Sequence, residues 1–258
     1  MKSCRFVIIA VCASVIFSFT YGVLSAHYQI FPYGLMKATW LLVEHEDVRL
    51  MKRKRSITRK NTIYYKTRVS LFEKLRANDY DIVFVGDSLT DRAEWQASFP
   101  MIKIANRGIS GDSTRGISER LDSIFSTSAS TAFVMMGVND LMAGIAVNKV
   151  FDNYQDIVSE LADHGLTVYI QSTILSGNPK KNSRSLNDKI LALNVRLQKL
   201  ANETKSVFFI DLNAVLAPGL MLNEAYTLDG IHLNGNGYVK WNELIQPYLT
   251  RYASVRTG

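Results

Sequence analysis

Residues 82 to 90 read Ile82-Val83-Phe84-Val85-Gly86-Asp87-Ser88-Leu89-Thr90: four apolar residues, then at once a glycine, an acid and a serine. A short apolar run bounded by turn-forming residues suits a strand buried on both faces. Four more runs of this kind follow, at residues 102–105, 132–136, 167–171 and 207–210. Segments long enough for helices separate most of them, notably 146–164 and 185–204, and residues 237–252 suit a last helix. Ahead of the first run, Ile63, Tyr64, Val69, Leu71, Phe72 and Leu75 mark a helix ending near Asn78. Alternation of this kind predicts an α/β protein with a five-stranded parallel sheet and helices on both faces, a three-layer α/β/α sandwich. Ligands of such sheets lie beyond the carboxyl ends of the strands, so chemistry is sought there. No internal repeat is present.

At the end of the first run, Ser88 stands at a tight turn into a helix, where an exposed hydroxyl suits a nucleophile. A helix cap explains the same residues, and Ser or Asp would supply it equally well. After the second run comes Asn106-Arg107-Gly108-Ile109-Ser110-Gly111-Asp112-Ser113-Thr114. Its glycines let the backbone approach a ligand, although a plain turn accounts for them too. It matches neither a dinucleotide fingerprint nor a phosphate loop. The third run ends in Gly137-Val138-Asn139-Asp140. The Asn139 amide could donate to a developing oxyanion or simply bond the local backbone, and Asp140 reads as structural.

Of the four histidines, His27 and His45 precede the main domain and His164 stands before Gly165 at a helix end. His232, in Tyr226-Thr227-Leu228-Asp229-Gly230-Ile231-His232-Leu233-Asn234, alone has a carboxylate three residues before it in a loop. Asp229 can hold one imidazole nitrogen while the other faces a serine or a substrate. With no second His or Cys nearby, a zinc set is incomplete.

Charge is distributed unevenly. The chain has 258 residues and a formal net charge of +7; residues 1–60 carry 10 basic and 3 acidic residues, and the remainder carries 20 of each. A neutral main domain argues against nucleic acid as the ligand. Modest Gly, Pro and Cys exclude collagen, low-complexity disorder and a disulfide scaffold, and both cysteines, Cys4 and Cys12, lie at the N-terminus.

Residues 6–24 run without a charge behind Lys2 and Arg5, long enough to span a bilayer. Residues 1–26 are therefore expected to be an uncleaved membrane anchor, with a cleaved signal peptide as the alternative, since Leu24 is large for a cleavage site. A lipoprotein signal at Cys12 fits less well. The flanking Lys2 and Arg5 direct the rest outward, to the extracytoplasmic side. Seven basic residues between 49 and 60 pull against that orientation but start 25 residues beyond Leu24. They make residues 27–61 a basic linker, solvated or in contact with anionic lipid. Oligomeric state has no signature.

In order, the four blocks are GDSL, a glycine-containing loop, GxND and DxxH, and with them the chain resembles the SGNH hydrolases, or GDSL esterase/lipase family, from about Asp81 to Tyr248. The resemblance implies a flavodoxin-like hydrolase domain over residues 62–258, with Ser88 as nucleophile, His232 as general base and Asp229 orienting it. It also implies an oxyanion hole of the Ser88 and Gly108 backbone N–H groups and the Asn139 amide, and no metal or organic cofactor. The wording of residues 106–121 and 229–238 is most similar to the platelet-activating-factor acetylhydrolase-like and sugar O-acetyl esterase branches, implying a short acyl group. Val138 departs from the Thr of many relatives, and the segment before Thr62 lies outside the pattern.

The expected activity is hydrolysis of short-chain acyl esters, on a small-molecule or carbohydrate substrate. An acyltransferase using the same triad, a long-chain lipase and a non-catalytic binding module are the alternatives. Residues 176–184, with Lys180, Lys181 and Arg184, would meet an acidic sugar or form a solvated loop.

Overall fold

The computed structural model describes residues 62–75, 79–177 and 183–254. All belong to one compact unit that begins at Arg55. The expected anchor and basic linker, and Lys180 and Lys181, lie outside the described residues. Among those described, no helix is long and apolar enough to cross a membrane.

The chain opens with α1 (Ile63–Lys74), then β1 (Ile82–Gly86), α2 (Ser88–Asp91), α3 (Trp95–Ser98), β2 (Ile104–Gly108), α4 (Thr114–Ser118) and α5 (Asp122–Phe125). There follow β3 (Thr131–Met135), α6 (Val138–Met142), α7 (Val147–Asp163), β4 (Thr167–Gln171), α8 (Ser183–Glu203), β5 (Val207–Ile210), α9 (Asn213–Leu216) and α10 (Gly235–Ser254). The five strands form one parallel sheet in the order β2-β1-β3-β4-β5. That is the flavodoxin-like order, whose switch point opens a crevice between the carboxyl ends of β1 and β3.

The inner strands β1 and β3 are apolar because both of their faces are covered, while at the edge β5 leaves Phe208 half-exposed. On β1, Val83 and Val85 enter a core shared with Tyr154 and Ile157 of α7 and Ile190 and Leu193 of α8. The alternate residues Ile82 and Phe84 enter a second core with Trp95 of α3 and Trp241, Ile245 and Leu249 of α10. Two cores on opposite faces of one sheet make the three layers expected. On the second face, register aligns Phe84, Phe133, Tyr169 and Phe208 across β1, β3, β4 and β5. Successive ring centroids are 5.0, 4.8 and 5.3 Å apart. Trp95 stacks on Phe84 at 3.9 Å and meets Trp241 edge-on at 5.1 Å. Each such pair adds roughly 0.5–1.5 kcal/mol beyond area burial, so the ladder fixes a register that sets the strand ends beside one another.

Two boundaries differ most from the sequence reading. β2 runs to Gly108, not to residue 105, and takes in Asn106 and Arg107. Polar residues can occupy a covered strand here because Asn106 is fully bonded, and Arg107 has one bond and the Phe72 ring against its guanidinium, although its Nη2 is buried without a hydrogen bond. Asn106 Nδ2 donates to the carbonyls of Thr90, Asp91 and Ala93 at 3.0, 3.2 and 3.3 Å, and Arg107 Nε donates to the Ser123 carbonyl at 3.0 Å. The first helix ends at Lys74 rather than near Asn78, with Leu75 N–H closing it on the Leu71 carbonyl at 2.8 Å.

Candidate active site

β1 delivers Ser88 to the head of the crevice. Asp87 Oδ1 accepts the Leu89 N–H at 3.1 Å, so the acid caps α2 and the serine hydroxyl is left for other contacts. Ser88 Oγ lies 3.0 Å from His232 Nε2. His232 Nδ1 is in turn 2.7 Å from Asp229 Oδ2. The other carboxylate oxygen, Oδ1, accepts the backbone N–H groups of Ile231 at 2.9 Å and His232 at 2.7 Å. Burial pushes the Asp229 carboxyl up, but these bonds from the imidazole and the two amides outweigh it and hold the group down at about 2. The spacing of three residues thus brings Asp229 back onto its own histidine.

The loop holding His232 is closed on itself. Thr227 Oγ1 donates to the His232 carbonyl at 2.6 Å and accepts the Gly230 N–H at 2.9 Å, and Thr227 bridges Leu233 in antiparallel fashion. Asn234 Oδ1 then accepts the Gly237 N–H at 3.1 Å, capping α10. From that helix Tyr238 donates to the Leu89 carbonyl at 2.9 Å, a bond between the histidine and serine segments.

Asn139 stands after β3, on the far side of the crevice. Its Nδ2 donates to the Asp112 carbonyl at 2.9 Å and lies 3.3 Å from Asp87 Oδ2. The structure shows the bonding reading of this residue, to the loop at Asp112 and to the carboxylate that caps α2. Asp140 is structural, accepting the Thr114 N–H and hydroxyl at 3.0 and 3.1 Å. Burial raises its carboxyl, against the lowering bonds from Thr114.

Gly108 does not have the place expected of it. Its N–H donates to Asn106 Oδ1 at 2.9 Å inside β2, so it is already engaged. Its missing side chain serves packing: a Cβ there would fall 2.3 Å from the Asp91 nitrogen, so only glycine lets α2 sit on β2. The glycine that shapes the loop is Gly111, with φ +81°, in a turn closed by Asp112 N–H on the Ile109 carbonyl at 3.0 Å. Glycine third in such a four-residue turn is the signature of type II, the one sequence signal that singles it out from Gly108. No acceptor bonds the Gly111 N–H among the described residues.

Asp91, at the end of α2, was also missed. Its Oδ2 accepts both the N–H and the hydroxyl of Ser110, at 2.9 and 2.6 Å, and the Tyr64 hydroxyl at 2.5 Å. Arg68 Nη2 lies 3.5 Å from its other oxygen. Helix α1 thereby grips the turn that carries Gly111. Beneath that turn, Asp112 Oδ2 pairs with Arg120 Nε at 2.8 Å, both side chains buried.

A serine, histidine and aspartate at these spacings, on a flavodoxin-like sheet, form a candidate active site. The family model of the GDSL-like Lipase/Acylhydrolase family matches residues 84–240, and the chain belongs to that family, a class of carboxylic ester hydrolases. Among curated proteins it is similar to the N-acylneuraminate cytidylyltransferase of Streptococcus agalactiae serotype III (strain NEM316), 25% identical over 188 residues. That match covers 73% of this chain but only 41% of the relative, so the chain spans well under half the length of the curated proteins it matches. Among solved structures, a Streptococcus pneumonia protein to which a platelet activating factor identity is ascribed superposes with TM-score 0.65 at 24% identity, over 83% of this chain and 97% of the other. A catalytic mutant of an acetylxylan esterase from Geobacillus stearothermophilus gives TM-score 0.55 at 18% identity, over 68% and 95%.

Proposed function

We propose that the protein hydrolyses short-chain acyl esters, above all acetyl esters of carbohydrate, through an acyl-enzyme on Ser88. The observation that carries this reading is the 3.0 Å approach of Ser88 Oγ to His232 Nε2, with Nδ1 held on Asp229 at 2.7 Å. His232 takes the hydroxyl proton as Oγ attacks the ester carbonyl. The oxyanion that forms is met by the Ser88 N–H, by the Gly111 N–H in place of Gly108, and by the Asn139 amide once its longer contact to Asp87 yields. The tetrahedral species collapses, His232 passes its proton to the departing alcohol, and water repeats the cycle to release the acid.

The carbohydrate part is supported by what similar proteins are named for, an acetylated xylan in one case and an N-acylneuraminate in another. A long-chain substrate is the second reading, favoured by Leu228, 91% exposed beside Asp229. The full chain in detergent, offered p-nitrophenyl esters from acetate to palmitate, tests both. Turnover highest on acetate and absent in Ser88→Ala supports the first reading, and a palmitate optimum supports the second. Full turnover in Ser88→Ala overturns the assignment of the nucleophile. As for its place in the cell, residues 1–26 act as an anchor that presents the domain outside the cytoplasm; recovery of the full chain from washed membranes, and its accessibility to protease in intact cells, test that.

A further inference from the structure

A pocket of about 260 Å³ lies against the loop that carries His232. Leu141 and Met142 of α6, Leu186 of α8 and Ile231, the residue before His232, form its apolar walls, and Ser176, Ser185 and Lys189 supply its polar lining. The walls are held from behind. Asn187 exchanges two hydrogen bonds with the Ser176 backbone, at 2.8 and 2.9 Å, and ties Leu220 at 3.0 Å. Ser176 Oγ and the Gly177 N–H both donate to the Gly230 carbonyl, at 3.2 and 2.8 Å, which joins the same wall to the histidine loop. The pocket is therefore built at a fixed position relative to His232.

Two features give it a sign. Lys189 lines it, and among the described residues no carboxylate lies within ion-pair distance of that ammonium group. Ser185 and Leu186 belong to the first turn of α8, a 21-residue helix whose positive end therefore borders the same space. Of the acids on the histidine loop and α6, Asp229 is held by His232 and Asp140 by Thr114; Asp188, beside Lys189 on α8, is exposed. Ile231 joins this pocket to the loop of the residue that returns a proton to the leaving group, which makes the pocket a candidate for the alcohol side of the ester.

We infer that the pocket selects esters whose alcohol carries a carboxylate, as an acidic sugar does, and that Lys189 is the specificity-determining residue. The inference rests on the esterase reading above and adds the charge of the leaving alcohol to it.

The experiment compares two acetate esters on the full chain in detergent: that of 4-hydroxyphenylacetate and that of its neutral amide. A methylene insulates the phenol from the carboxylate or amide, so the two differ in charge with little change in leaving-group chemistry. The quantity read is the ratio of kcat/KM, charged over neutral, which loss of folded protein leaves unaltered. The parent is expected to favour the carboxylate about fivefold, the size of a part-exposed ion pair, and less so as salt is raised. Lys189→Met should bring the ratio to about one through KM, Lys189→Glu should take it below one, and Lys189→Arg should keep the preference. Ser88-dependent turnover with a parent ratio of one or less, or a ratio that survives Lys189→Met, overturns the carboxylate proposal alone. Absence of turnover on both esters, or turnover that survives Ser88→Ala, overturns the esterase reading and this inference with it.

Discussion

Asp91 Oδ2 receives both the backbone N–H and the hydroxyl of Ser110, at 2.9 and 2.6 Å, and so binds the end of the serine-bearing helix to the turn that carries Gly111. One carboxylate oxygen thereby fixes the spacing between Ser88, the proposed nucleophile, and the Gly111 N–H, the proposed backbone donor. Precise placement of donors matters because misplacement by about 1 Å can cost roughly 100-fold in rate.

Asp91→Asn should accordingly lower kcat by roughly tenfold or more with little change in KM, since the amide cannot accept from three donors at one oxygen. Tyr64→Phe, which removes only the 2.5 Å bond from α1, should have a smaller effect in the same direction. Steady-state kinetics on p-nitrophenyl acetate check both.

Asp229→Asn should reduce turnover by roughly 10⁴-fold, through loss of the imidazole tautomer and of imidazolium stabilisation. The Asp229 carboxyl is held at about 2, below its ordinary 3.8, so it stabilises the folded state fully above pH 3.8 and loses that contribution as pH falls through about 2. The difference in thermal stability between parent and Asp229→Asn should therefore be constant from pH 4 upward and shrink below it. A difference that instead grew on acidification would contradict the lowered value.

Arg120→Met should destabilise the protein by about 3–5 kcal/mol, since it leaves the Asp112 carboxylate buried without its cation. Denaturant titration measures this. Because Asp112 also accepts Asn139 at its carbonyl, turnover of the folded fraction should fall as well.

The two glycines of the second block should separate on substitution. Gly108→Ala drives a Cβ to 2.3 Å from the Asp91 nitrogen and 2.7 Å from its Cα, backbone that can move only by lifting α2 from β2. It should cost about 3 kcal/mol of stability and most of the activity. Gly111→Ala, at φ +81°, should cost about 1–2 kcal/mol and leave the fold intact. Thermal unfolding of the two variants ranks them.

Much of this architecture is legible along the chain because its causes are local. A strand covered on both faces needs an unbroken apolar run, so β1 stands out as such a run, and β5 keeps the pattern although Phe208 is half-exposed at the sheet edge. β2 reads short because Asn106 and Arg107 look like loop until the carbonyls of Thr90, Asp91, Ala93 and Ser123 are seen to receive them. Ser88 and His232 are marked by the turns that hold them, and Asp229 lies close enough in sequence for one loop to close the pair.

Partners far apart in the chain follow another rule. Gly108 and Gly111 both suit a loop near a ligand, and only the fold of Asn106 back onto Gly108 shows which N–H is engaged. Asp91 and Ser110 are 19 residues apart, and Lys189 and Ile231 line one pocket from different elements. The sequence by itself determined the parallel α/β class and marked Ser88, Asp229 and His232 as candidates, because spacing and hydrophobic period act within one segment. The tertiary structure alone decided which of the two glycine N–H groups is engaged and which distant side chains line one pocket, because those contacts arise only when strand register and helix packing bring separate segments to the same end of the sheet.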